Sequence, residues 1–175
     1  PSAVAVMGGL GGWYANNDNG FRSDEFLTDL YENGLKDYCD YVAIHPYVQP
    51  LSDGDFTKTL ANIDDLRQIM IDFGDEDKHV ILSEIGWTTA TGTGVSEAVQ
   101  AANIKKLYET VLYDEAYNFI DIVALYNLRN AGTSPSSDEH NYGIIRNNGI
   151  DLKPSYQSYI DVAAKFERDF VEKPL

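Results

Sequence analysis

The stretch VILSEIGW (residues 80–87), followed by SEAVQAANIKKLYETVL (96–112) and IDIVAL (120–125), decides the fold class. The first and last segments contain short apolar runs, which are typical of strands buried in a parallel sheet. The segment between them carries apolar residues at helical spacing behind Ser96, a residue type that favours helix caps. A strand, a helix and a strand in this order predict a βαβ unit.

The same alternation extends along the rest of the chain. Strands are predicted at 3–7, 41–44, 80–82 and 120–125, all apolar on both faces, and the first ends in the glycine-rich residues 8–12. Helices are predicted to begin with a Ser23 cap, near Asp55, with a Ser96 cap, and at Pro154. We therefore predict the α/β class, built of parallel (β/α) units in a single unit over residues 1–175. A small doubly wound sheet and half of a (β/α)8 barrel both fit, because a complete barrel takes about 200–250 residues.

Composition and charge exclude several functions. The 175 residues are 43% hydrophobic, as in globular proteins, and 13 Lys and Arg against 28 Asp and Glu give a net charge of −15. Such an acidic chain repels phosphate backbones and anionic surfaces, so neither nucleic acid nor a membrane is an expected partner. One cysteine, Cys39, excludes an internal disulfide. The three histidines lack metal-ligand spacing and the glycines lack phosphate-loop spacing, so we expect no metal and no cofactor.

Polar and aromatic side chains follow the predicted strands, where parallel α/β folds place their chemistry. Trp13 and Tyr14 follow the first strand. The candidates after the other three strands are His45, Tyr47, Glu84, Trp87, Tyr126 and Asn127. A carboxylate among aromatic rings and hydrogen-bonding groups is a mixture suited to sugars.

Glu84 is the most informative candidate because it directly follows an apolar strand. A carboxylate there can act as a nucleophile or a general base. The alternative is a strand-end ion pair with a neighbour such as Arg129.

Several motifs together resemble one enzyme group. Ser83-Glu84-Ile85-Gly86-Trp87 resembles the seventh strand of clan A retaining glycoside hydrolases, which include cellulase-like and xylosidase-like families. His45-Pro46-Tyr47 is similar to their sixth-strand element. The other matching segments are 4–9 for the fifth strand, 125–130 for the eighth, and 141–145 and 152–156 for the following loop and last helix. The order of these motifs implies strands five to eight of a TIM barrel.

The resemblance implies a role for each candidate. Glu84 matches the catalytic nucleophile, and Tyr47 matches a tyrosine that hydrogen-bonds it, so we expect those groups roughly 2.5–3.0 Å apart. His45 matches a catalytic-site residue near the sugar subsite. Trp87, Tyr126 and Asn127 are the implied substrate-binding residues, although relatives often carry Trp where Tyr126 stands. The residues themselves indicate no compartment, and the resemblance favours an extracellular one.

A second catalytic carboxyl is missing from the pattern. Retaining hydrolysis needs two carboxyls about 5–5.5 Å apart, and in this clan an Asn-Glu pair after strand four supplies the acid/base. The chain has no Asn-Glu pair, and other acids fall in predicted loops or first helical turns: Asp18, Glu25, Asp53 and Glu97. We therefore predict a glycosidase when the full barrel is present, with the missing N-terminal half as partner.

Two alternatives remain open from the sequence. The chain could be a non-catalytic carbohydrate-binding or structural barrel-like module, or a self-contained four-stranded domain. A half-barrel leaves two unpaired sheet edges, whereas a self-contained domain covers them.

Overall fold

The computed structural model describes residues 3–11 and 22–171, which cluster into two compact units. The sheet unit comprises the described residues of Pro1–Gln49, Asp55–Ile85 and Phe119–Leu125. The helix unit comprises the described residues of Pro50–Gly54, Gly86–Asn118 and Tyr126–Leu175. Trp13, Tyr14 and Asp18 lie outside the described residues.

The sheet unit contains four parallel strands in the order β1-β2-β3-β4. They are β1 (Leu10–Gly11), β2 (Tyr41–His45), β3 (His79–Ile85) and β4 (Ile120–Leu125). Helices α1 (Ser23–Glu32) and α2 (Phe56–Asp72) belong to the same unit. This parallel sheet with alternating helices confirms the predicted α/β class.

The predicted position of the first strand is wrong. Within 3–7 only Val6 forms a bridge, to Tyr41, and the ladder begins at Leu10 instead. Val4 and Val6 are 63% and 48% exposed, so this run is not buried on both faces. The physical reason is its place at the edge of the described sheet, where β2 is its one neighbouring strand.

The fourth strand has the predicted bounds but not the predicted burial. Val42 and Ile44 in β2 are buried, as expected for an inner parallel strand, whereas Ile122 in β4 is 52% exposed. β4 is the other edge strand of the described sheet, so part of its apolar surface has no cover there.

Helix α2 follows its predicted pattern. Asp55 caps it by accepting a hydrogen bond from the Thr57 amide at 3.0 Å. Its buried apolar residues are Phe56, Ile63, Leu66 and Met70. They recur at helical spacing and supply much of the apolar core of the sheet unit.

Helix α1 departs from its predicted start. Arg22 occupies the cap position without a side-chain bond, and Ser23 is instead a buried first helical residue. Gly34 lies just beyond the helix at φ +88°, a left-handed conformation that glycine adopts without strain.

The helix unit contains α3 (Glu97–Tyr113) and α4 (Pro154–Phe166). Ser96 caps α3 as predicted, accepting from the Val99 amide at 3.2 Å. The helices pack together, and the rings of Tyr108 and Tyr159 meet edge to face at 5.4 Å. Shorter helical turns cover Leu35–Asp37, Glu115–Tyr117 and Glu167–Val171. None of the described helices is long and apolar enough to cross a membrane.

Candidate active site

Two neighbouring strand ends bring three of the predicted residues together in the sheet unit. β2 and β3 pair in parallel with Ile44 opposite Leu82, so their carboxyl ends lie side by side. His45 ends β2, Tyr47 follows two residues later, and Glu84 is the penultimate residue of β3.

The Glu84 carboxylate is the centre of this cluster. The Tyr47 hydroxyl donates to Glu84 Oε2 at 3.3 Å, which makes the expected contact at a longer distance than 2.5–3.0 Å. His45 Nδ1 lies 3.7 Å from the same oxygen. The Glu84 side chain is 41% exposed, so a ligand from solvent can reach it.

Ser83 belongs to the cluster although no role was predicted for it. Its Oγ lies 2.9 Å from His45 Nε2. Successive strand residues normally point to opposite faces, yet Ser83 and Glu84 both lie near the His45 ring. The register explains this, because three steps along β3 from Leu82 to Ile85 match two steps along β4, from Val123 to Leu125. Such a bulge re-aims side chains, here at the end of β3.

Two glycines pack closely against the His45 ring. A Cβ atom on Gly9 would lie 2.2 Å from His45 Nε2 and 2.6 Å from Ser83 Oγ. A Cβ atom on Gly11 would lie 3.1 Å from His45 Nδ1. The glycine-rich end of the first segment therefore serves close packing against His45.

Trp87 is placed in the helix unit and is buried. Its side chain is 6% exposed, which leaves little ring surface for a sugar to stack on. Gly86 precedes it because the backbone passes close to Tyr126, whose carbonyl oxygen would lie 1.8 Å from a Cβ atom on Gly86.

Tyr126 and Asn127 also lie in the helix unit, joined by a cis peptide bond. The Tyr126 hydroxyl donates to Glu139 Oε2 at 2.9 Å, and its ring meets that of Tyr142 edge to face. The Asn127 carbonyl accepts from the Ile144 amide at 3.2 Å. Its buried side-chain oxygen has no hydrogen-bond partner in the described part of the chain.

A buried polar network supports the segment after β3, and residue spacing did not predict it. Gln100 is fully buried; its Nε2 donates to the carbonyls of Trp87 and Tyr142 at 2.8 and 3.1 Å. Gln100 Oε1 accepts from Ser155 Oγ at 2.8 Å. The Lys-Pro-Ser start of α4 therefore carries a structural hydroxyl that secures the Gln100 side chain.

Lys153 is a second buried polar group of the helix unit. It is 2% exposed, and its Nζ donates to Thr89 Oγ1 and the Asn141 carbonyl, both at 2.9 Å. Burial lowers the pKa of Lys153 to about 8.

Three of the remaining candidate acids lie within the described residues. Glu25 and Glu97 lie in the first turns of α1 and α3, and Glu97 pairs with Arg146 at 2.8 Å. Asp53 lies in the short segment Pro50–Gly54 of the helix unit.

A separate cluster lies at the opposite ends of the strands. His79 Nδ1 is 2.6 Å from Asp121 Oδ1, and the Tyr41 hydroxyl donates to Asp121 Oδ2 at 2.9 Å. The His79 hydrogen bond lowers the pKa of Asp121. Across residues 3–11 and 22–171, no three His, Cys, Asp or Glu side chains are grouped so as to hold a metal ion.

Comparison with known proteins defines the class of this fold. No family model and no curated protein matches the chain. Among solved structures, a family 39 glycoside hydrolase from Bacteroides cellulosilyticus matches with a TM-score of 0.58 and 25% identity, over 79% of this chain and 30% of its own. A family 128 endo-β-1,3-glucanase from Amycolatopsis mediterranei, in complex with laminaripentaose, matches with a TM-score of 0.54 and 16% identity. This match covers 88% of this chain and 56% of the glucanase.

A third neighbour is the xylanase 10B of Clostridium thermocellum, complexed with xylohexaose, with a TM-score of 0.51 and 18% identity over 78% of this chain. This chain spans less than two thirds of all three neighbours, since it covers 30%, 56% and 25% of their lengths. The parallel sheet with alternating helices thus matches half of a TIM-barrel-like glycoside hydrolase. The fold is glycosidase-like.

Proposed function

We propose that this chain is the nucleophile-bearing half of a retaining glycoside hydrolase barrel. The observation that carries the proposal is the Glu84 carboxylate, reachable from solvent at the end of β3 and hydrogen-bonded by Tyr47 on the neighbouring strand end. A carboxylate needs both access and orientation to act as a nucleophile.

Glu84 performs both halves of the proposed reaction. Its carboxylate attacks the anomeric carbon, the glycosidic C–O bond breaks, and the leaving oxygen takes a proton from an acid. The conjugate base of that acid then deprotonates a water molecule, which displaces Glu84 from the glycosyl ester. The two displacements return the original anomeric configuration. Tyr47 donates to the carboxylate before attack, and His45 lies beside the same oxygen.

The acid/base belongs, in this proposal, to the N-terminal half of the barrel. Two observations support it: the sheet has β1 and β4 as its edge strands, and the match covers only part of each solved barrel. A further set of parallel strands pairing with these edges would place a second carboxyl across from Glu84.

Carbohydrate is the proposed ligand. The neighbours' complexes with laminaripentaose and xylohexaose support a β-linked glycan as the substrate class. Trp87, Tyr126 and Asn127 stay candidate substrate-binding residues, although the burial of Trp87 favours a packing role for its ring.

The test is glycoside turnover by the complete protein and its Glu84→Gln variant. We expect the variant to lose hydrolysis while keeping its fold, because the amide keeps the size of the side chain but cannot attack. Glu76→Gln removes an equal charge from an exposed carboxylate of the sheet unit and is the matched control. Near-normal turnover by Glu84→Gln would defeat the assignment. Glycan binding without turnover by the wild type would favour the non-catalytic module instead.

A further inference from the structure

We propose that Asn62 is a positioning residue of the reaction, which acts on the nucleophile by holding the backbone of Tyr47. The inference rests on the proposed function, since it concerns the same carboxylate. Asn62 Nδ2 lies 3.0 Å from the carbonyl oxygen of Tyr47, within the sheet unit. The direction of this hydrogen bond is fixed, because a carbonyl oxygen only accepts and the amide nitrogen of asparagine only donates.

The place of Asn62 in the chain favours a role for its side chain. Asn62 lies in the second turn of α2, and asparagine is one of the poorer helix formers because its side chain competes for backbone groups. It is half-buried, and it shares a helix face with the buried residues Thr59 and Leu66. The side chain thereby joins α2 to the segment that follows β2.

Three constraints hold the Tyr47 backbone. The ring of Pro46 restricts the chain directly before it. The Tyr47 amide donates to the His45 carbonyl at 2.8 Å, which closes a tight turn at the end of β2. The bond from Asn62 then holds the carbonyl of the same residue. Because a tyrosine ring turns about only two side-chain torsions, this backbone largely determines where the Tyr47 hydroxyl can reach.

The contact between Tyr47 and Glu84 has little tolerance for displacement. The hydroxyl lies 3.3 Å from Glu84 Oε2, which is already long for a hydrogen bond from a hydroxyl, so a further shift of a few tenths of an ångström breaks it. Without Asn62 the Tyr47 carbonyl is released, and we expect the hydroxyl to leave the carboxylate. Glu84 then loses part of the orientation that its attack needs, which lowers kcat rather than sugar affinity.

The first test asks whether Asn62 and the Tyr47 hydroxyl are coupled, by urea unfolding of the complete protein. In the wild-type background, Tyr47→Phe should raise the unfolding constant about fivefold, as expected for one hydrogen bond. In the Asn62→Ala background the same change should raise it by less than about twofold, because the hydroxyl has already left Glu84.

Asn33→Ala is the matched control for the unfolding measurement. Asn33 Nδ2 also donates to a backbone carbonyl, that of Asp29 at 2.7 Å, but it lies at the end of α1. In the Asn33→Ala background, Tyr47→Phe should keep its fivefold effect. An equal effect of Tyr47→Phe in the Asn62→Ala and wild-type backgrounds overturns the inference.

Turnover by the complete protein supplies the second readout. Asn62→Ala should lower kcat about fivefold with KM unchanged. Asn62→Asp keeps the size of the side chain, but its carboxylate cannot donate, so kcat should fall at least as far. The double variant of Asn62→Ala and Tyr47→Phe should lose about tenfold, as Tyr47→Phe does alone, whereas independent effects would multiply to about 50-fold.

The outcomes separate this inference from the proposed function. Wild-type kcat in Asn62→Ala or Asn62→Asp, a raised KM with unchanged kcat, or a loss of about 50-fold in the double variant overturns the role of Asn62. Turnover by Glu84→Gln instead overturns the proposed function. The unfolding measurement distinguishes the two failures, because it needs no activity.

Discussion

Adding one methyl group at Gly9 should disturb the candidate site more than the same change one residue earlier. The new Cβ of Gly9→Ala would lie 2.2 Å from His45 Nε2, where ordinary contacts begin at 3.4 Å, so the ring or the backbone must move by about an ångström. That movement breaks the 2.9 Å contact between His45 and Ser83. Gly8→Ala is the matched control, because no atom lies within 4 Å of the position that its methyl group would take.

The magnitude follows from three contributions. Overpacking costs about 1–3 kcal/mol, the lost hydrogen bond about 1 kcal/mol, and alanine returns about 0.4–1 kcal/mol by restricting the unfolded chain. The net expectation is that Gly9→Ala lowers the free energy of unfolding by about 2 kcal/mol. Gly8→Ala should change it by less than about 1 kcal/mol. Urea unfolding of both variants measures this difference, and equal stability of the two would refute the close packing of Gly9 against His45.

Two further predictions concern Tyr47 and Lys153. Tyr47→Phe in the complete protein should lower kcat about tenfold, because a hydrogen bond to a charged group is worth about 1.5–3 kcal/mol and this one is long; steady-state kinetics with wild-type kcat would contradict the role of the hydroxyl. The pKa of Lys153 is about 8 in the folded protein, against 10.5 for an ordinary lysine in the unfolded chain. Its stabilising contribution is therefore complete above pH 10.5 and is lost as the pH falls through 8. The stability of the wild type relative to Lys153→Met should therefore rise by up to about 3 kcal/mol over that range, and a flat difference in urea unfolding would show that Lys153 is not desolvated.

Most helices and inner strands could be predicted because their signals are local. The apolar spacing of α2 and the caps Asp55 and Ser96 are encoded within a few residues of each helix end. The burial of Ala3–Met7 could not be predicted in this way. An apolar run has the same sequence pattern at the edge of a sheet as in its centre. The exposure of Val4 and Val6 follows from the strand order, which the sequence pattern does not contain.

The same distinction between local and long-range signals applies to the candidate site. His45, Tyr47 and Glu84 could be expected to meet because neighbouring parallel strands end together. The approach of both Ser83 and Glu84 to the His45 ring was not predictable, since alternation places them on opposite faces and the bulge that changes this depends on β4. Gln100 was also missed, because its partners Trp87, Tyr142 and Ser155 are 13 to 55 residues away in the chain.

The most direct measurement of the central claim is covalent trapping of the nucleophile in the complete protein. Activated glycosides with fluorine at C2 would be tried across several sugars, because their leaving groups need no protonation while the glycosyl ester they form is slow to hydrolyse. Peptide mapping by mass spectrometry then locates the ester. We predict one added sugar on the peptide that contains Glu84, and none in Glu84→Gln. A sugar attached to another carboxylate in the wild type would contradict it.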